Sequence, residues 1–107
     1  MSSVLTYSNN SIVKLDGTKI KNKNQFLSQI ATKLSFPGNW GSNYDALFDM
    51  LTDLSWLGKI SSLTIEYTNA HIFNNEDPEA FHKITTILVD SIEYWDKSKF
   101  KFNVIFS

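Results

Sequence analysis

The chain contains no cysteine, so neither a disulfide framework nor a thiolate site is available to it. It has only four glycines, and none of them builds a glycine-rich phosphate loop. No apolar run approaches the roughly 20 residues needed to span a bilayer. Met1 to Lys14 is too polar to act as a signal peptide. These absences fit a reducing, cytoplasmic location and no membrane partner. Charge of either sign is also scarce in sum. The net charge of −1 gives no global electropositive field for nucleic acid, so no direct nucleic-acid contact is expected. Nor does it give the overall acidity of a protein steered to a basic partner, so any attraction must come from local charge.

What is present suits a packed globule. At 107 residues one domain over 1–107 is expected, burying roughly 60–65% of the surface its unfolded chain exposes. A hydrophobic share of 42% with 14% aromatics argues against disorder. Residues 1–11 read as a polar N-terminal extension, with an added strand around Val4–Tyr7. Ser11–Leu15 reads as a strand closed by the Asp16-Gly17 turn. Asn24 is the expected cap of a helix that carries Phe26, Leu27, Ile30, Ala31 and Leu34 at helical spacing and runs to about Lys33. Ser62–Tyr67 is a strand, and Asn69–Asn75 a short helix burying Ile72 and Phe73. Asp77-Pro78-Glu79 opens a long helix striped by Phe81, Ile84, Leu88, Ile92 and Trp95. Phe100, Phe102, Val104 and Phe106 alternate in a last strand. Strands separated by helices predict an α/β fold, a small three-stranded parallel sheet with helices packed on it.

The most informative stretch is Leu34–Gly58. Phe36-Pro37-Gly38 breaks the preceding helix, with Gly38 the residue that tolerates positive φ. Ser42 or Asn43 then caps a second helix. On a helical wheel Tyr44, Leu47, Met50, Leu51 and Leu54 share a dry side. Asp45, Phe48, Asp49 and Thr52 share the other, with Asp53 at its edge. Carboxylates at i, i+4 and i+8 repel one another by about 0.2–0.5 kcal/mol per pair. No Lys or Arg falls between Lys33 and Lys59 to neutralise them. Phe48 and Trp40 read as exposed aromatics beside the charge, which is the composition of a binding hot spot rather than of a merely solvated face.

Other chemistry is weaker. His71 and His82 lack ligand-spaced companions. The serines have no nucleophile-elbow context. Glu76, Asp77 and Glu79 read as helix capping. Asp45 and Asp49 on a rigid helix face cannot supply the six to eight oxygens of a calcium site. No metal or cofactor is therefore expected. Trp95 reads as core, and Trp56, in a Ser55–Ser61 loop, can be read either way.

Leu34, Pro37, Trp40, Gly41, Asn43, Asp45, Ala46, Leu47, Phe48, Asp49, Leu51 and Thr52 together resemble the central motif of the barstar family, intracellular inhibitors of a secreted ribonuclease. The resemblance implies a barstar-like fold and an inhibitor rather than an enzyme. It makes Asp49 the central phosphate-mimicking carboxylate and Asp45 its neighbour. Asn43 and Gly41 would shape the entering loop, and Thr52 would border the site. Phe48 stands where the family often has tryptophan, and Asp90 of the long helix aligns with a further acid. Asn39 replaces a tyrosine of the family, and Asp53 a glycine. The Ser55–Ser61 connection is longer than the family's. These departures suggest a target that need not be barnase itself. The implied partner is a basic ribonuclease toxin domain, bound one-to-one by a monomeric immunity protein. Two alternatives stay open: an adaptor whose acidic helix docks on a basic protein without inhibiting it, and a small enzyme using Asp49 with His71 in a cleft.

Overall fold

Alternation in the strands sets the sheet. The computed structural model describes residues 10–107. Its strands are β1 (Asn10–Asp16), β2 (Ser62–Thr68) and β3 (Lys101–Phe106). β2 buries Leu63, Ile65 and Tyr67 and turns the residues between them outward. β1 and β3 flank it in parallel, giving the order β1-β2-β3. The register pairs Leu15 with Tyr67 and Leu63 with Phe102, so the buried residues of all three strands share one face. The other face is open, with Ile12 65% exposed. Across it Lys14 and Glu66 form a 3.9 Å surface ion pair, an interaction of little energetic weight. The strand expected over Val4–Tyr7 lies outside the described residues.

Four helices cover the buried face: α1 (Lys23–Lys33), α2 (Tyr44–Leu51), α3 (His71–Glu76) and α4 (Pro78–Trp95). The element order is therefore the expected α/β one, a three-stranded parallel sheet with helices packed on it. Two close approaches fix the scaffold. Gly17 sits where β1 ends, and a Cβ there would lie 2.0 Å from the carbonyl oxygen of Thr68, so a side chain would prise β1 from β2. Tyr67 is fully buried between Phe26, Phe81 and Phe106, and its hydroxyl has no hydrogen-bond partner. Burial pushes its phenol pKa far up.

The helix ends depart from expectation in instructive ways. α1 is capped by Asn22, not Asn24. The Asn22 Oδ1 accepts from the Gln25 N–H at 2.8 Å while Gln25 Oε1 accepts from the Lys21 N–H at 2.7 Å. This reciprocal pair starts the helix one residue before Asn24. At its C-terminus the left-handed residue is Ser35 (φ 56), not Gly38. The Phe36 N–H bonds to Ala31 O, and the Ser35 N–H to Thr32 O. That is the Schellman pattern, here closed without glycine. α2 is capped by Asn43, whose Oδ1 accepts from the Ala46 N–H at 2.7 Å. It ends at Leu51, so Asp53 lies past the helix and the third carboxylate of the expected i, i+4, i+8 series leaves the face.

Two tryptophans close these ends. Trp56 Nε1 donates to Leu34 O at 2.9 Å, and Trp95 Nε1 to Leu51 O at 2.8 Å. Each satisfies a carbonyl that a helix C-terminus leaves without a partner. Trp56 and Trp40 both meet the Phe36 ring edge-on. The Ser55–Ser61 connection, with its short 3-10 turn at Ser55–Leu57, thus braces the α1–α2 loop.

Candidate functional site

α2 and α4 lie side by side and run in the same sense. The Lys83 Nζ sits 5.7 Å from the Tyr44 ring centroid at one end, and Trp95 bonds Leu51 at the other. Between them opens a cleft of about 650 Å³. α2 contributes Tyr44, Asp45, Phe48 and Asp49; α4 contributes His82, Lys83, Thr86, Ile87 and Asp90. The two sets have one logic: residues at i, i+1, i+4 and i+5 face the same way on a helix. Tyr44, Phe48 and Ile87 supply most of the apolar wall. Those end contacts place Lys83 toward Tyr44 and Trp95 toward Leu51, so Asp90, between the two in sequence, lies further along the cleft than Lys83.

The carboxylates are available. Asp45, Asp49 and Asp90 are exposed. The ion pair found among the described residues is Lys14–Glu66, remote from the cleft. The small net charge hides a strong local imbalance: residues 34–96 hold ten acids and two lysines. Tyr44 is half-buried, with Lys23 of α1 4.8 Å from its ring centroid on top of the Lys83 contact. Burial raises its phenol pKa, and the negative charges of Asp77 and Glu79 raise it further.

The residues predicted from sequence divide into two groups. Asp45, Phe48, Asp49 and Asp90 share the cleft. Asn43 is engaged in capping α2, and its Nδ2 also donates to Gly41 O at 3.4 Å. Gly41 (φ 107) makes the turn that delivers that cap. The Thr52 hydroxyl donates back to Phe48 O at 2.7 Å, fastening the last turn. Asn39 and Asp53 are exposed outside the cleft. Trp40 is not an exposed companion of the carboxylates. It is half-buried, packed on Phe36, and lines a separate cleft with α1 residues such as Leu27 and Ala31. Phe48, too, is half-buried, a wall of the cleft and not an exposed ring.

The site face is concave, but its histidine is His82. His71 lies in a different depression, with Phe81, Thr85 and Phe106, which separates it from Asp49 and removes the pairing the enzyme alternative required. Among the described residues no group of three or more His, Asp or Glu is arranged to hold a metal ion. No helix among them is long and apolar enough to cross a membrane. Sequence reasoning missed Tyr44, His82, Lys83, Thr86 and Ile87 as site residues. The signal was there in the four-residue spacing of His82, Thr86 and Asp90 and of Lys83 and Ile87, which repeats that of Asp45 and Asp49.

Among curated proteins no match was found. A family model described as Barstar (barnase inhibitor) matches residues 10–107, that is, all three strands, all four helices and both walls of the cleft. Its description names inhibitors, not enzymes. On the strength of that match over nearly the whole length, the chain belongs to the barstar family.

Proposed function

We propose that the protein inhibits a barnase-type ribonuclease by filling its active site, and that it serves as the cytoplasmic immunity protein of a bacterial toxin. The physical logic is mimicry. A ribonuclease site gathers cationic and hydrogen-bond-donating groups to hold RNA phosphates. Asp49, with Asp45 beside it, offers anionic oxygens to the same donors as charge-assisted hydrogen bonds. Asp90 adds a third carboxylate from α4, and the Phe48 ring gives these contacts an apolar, water-excluding wall. Thr52, Asn43 and Gly41 hold the helix that carries them, and Asn39, Trp40 and Asp53 frame the rim of the same interface.

The observation that supports this reading best is the convergence of Asp45, Asp49 and Asp90 on one cleft with no lysine of the chain within ion-pair distance of them among the described residues. Carboxylates repelling one another across an apolar wall gain most when an external cation arrives. The test is an RNA-cleavage assay with purified barnase and a panel of barnase-type ribonuclease domains, with and without the protein. Stoichiometric one-to-one loss of cleavage by at least one domain is expected. A protein that binds a domain yet leaves its cleavage intact is an adaptor, and the inhibitor reading fails.

A further inference from the structure

An acidic cleft built only to imitate phosphate has no use for an ammonium group, yet this one contains Lys83. Its Nζ rests 5.7 Å from the Tyr44 ring centroid, and Lys23 approaches the same ring at 4.8 Å. Both contacts hold the cations over a π face, but a ring face accepts none of the directed hydrogen bonds that an ammonium's three N–H groups can donate. No carboxylate among the described residues lies within 4.0 Å of either nitrogen. Asp45 shares the cleft with Lys83 and still does not pair with it. The cleft is therefore not uniformly acidic: one lysine lines it among its carboxylates. Asp49 and Asp90 add carboxylates along it, and at the Tyr44 end Lys83 lines the cleft with Asp45, while Lys23 meets the same ring from α1 and Asp77 and Glu79 bring negative charge near it.

Resting on the inhibitor reading above, we propose that Lys83, supported by Lys23, determines specificity by pairing with a carboxylate side chain of the ribonuclease. The complementary surface is then basic opposite Asp49 and Asp90 and acidic opposite Lys83. A uniformly cationic partner surface would bring like charge against Lys83 and Lys23 next to the apolar wall of Tyr44, Phe48 and Ile87, where repulsion is poorly screened. This rejects partners that a purely acidic cleft would accept. The wild-type protein thus trades some generic attraction for discrimination between ribonucleases.

The experiment uses the full chain and a ribonuclease domain that it inhibits in the cleavage assay. Lys83→Met, Lys83→Glu and Asp49→Ala are compared by equilibrium binding, with thermal melts to verify folding. Lys83→Met is expected to weaken the complex several-fold and Lys83→Glu about tenfold or more. Carbodiimide, which joins an amine to a carboxylate with loss of water and no spacer, is expected to link Lys83 to an Asp or Glu of the ribonuclease, detected as a cross-linked peptide pair. Equal or tighter binding by Lys83→Glu, alongside a loss in Asp49→Ala, overturns this inference and leaves the inhibitor reading standing. Absence of inhibition by the wild-type chain overturns both.

Discussion

Two acidic runs lie within the same molecule, Asp45–Asp49 and Glu76–Glu79, and they do opposite things. In the second, the Asp77 side chain accepts from the Ala80 N–H at 3.1 Å, Pro78 occupies the first turn and Glu79 follows it. Its charge is balanced by the positive end of an 18-residue helix. In the first, Asn43 already caps the helix; Asp45 in its first turn gains from the same dipole, but Asp49 does nothing for it. They sit four apart on one face, mutually repulsive, along a cleft. A carboxylate held by its own backbone stabilises the fold; a carboxylate with no internal role marks a surface built for something else. Composition does not distinguish the two runs, whereas hydrogen-bond partners do.

The largest effect expected from this contrast is in binding. Asp49→Ala should weaken the ribonuclease complex by about 3 kcal/mol, roughly a hundredfold or more, because it leaves the partner's cations desolvated and unpaired. The isolated protein should be no less stable, since removing one of two like charges at i, i+4 relieves about 0.2–0.5 kcal/mol. Isothermal titration and urea melts on the same preparation check both statements. An unchanged affinity would erase the difference between the runs. Raised salt should slow association of the wild type, because the imbalance of ten acids to two lysines over residues 34–96 steers a cationic partner. Stopped-flow rates at two ionic strengths measure this.

The reciprocal change is smaller and falls on stability. Asp77→Ala removes the cap of α4 and should cost about 1 kcal/mol, with the affinity of the complex unchanged. Asp77→Asn keeps an oxygen for the Ala80 N–H and should restore most of that loss. If Asp77→Ala weakened the complex as much as Asp49→Ala, the second run would belong to the interface and the contrast would fail.

How much of this was legible in the sequence follows the same line between local and distant partners. The three described strands, the Asp77-Pro78 helix start and a cap at Ser42 or Asn43 were readable because their causes lie within a few residues; the Asn43 hydrogen bond to Ala46 decides between those two. The left-handed Ser35 was not, because a positive φ without glycine leaves no composition signal; the bond from Phe36 N–H to Ala31 O imposes it. Asn24 was mistaken for Asn22 because both are asparagines in a lysine-rich lead-in, and the Gln25–Lys21 bond decides between them. Trp40 and Trp56 owe their places to Phe36 and Leu34. Half of the cleft was hidden for a similar reason: His82, Lys83 and Ile87 become site residues only when α4 is laid alongside α2, some 40 residues away in sequence.

Tyr44 joins the two runs and offers the finest test. It neighbours Asp45 in sequence, yet its phenol pKa is raised by burial first and then by the charges of Asp77 and Glu79. A phenol whose folded pKa exceeds its unfolded value of 10.0 keeps its proton when the unfolded chain has lost it. Stability is therefore full below pH about 10 and falls as pH rises through the folded value. Tyr67, raised by burial alone, adds to the same alkaline loss, so Tyr44→Phe isolates its share by difference. Asp77→Asn should lower the Tyr44 pKa without exposing the ring, and absorbance at the phenolate band follows it directly. The shift should be small, because desolvation outranks both charges. A Tyr44 titration indifferent to Asp77→Asn would mean that the capping run and the cleft are electrically separate, and that the boundary between them is sharper than the structure implies.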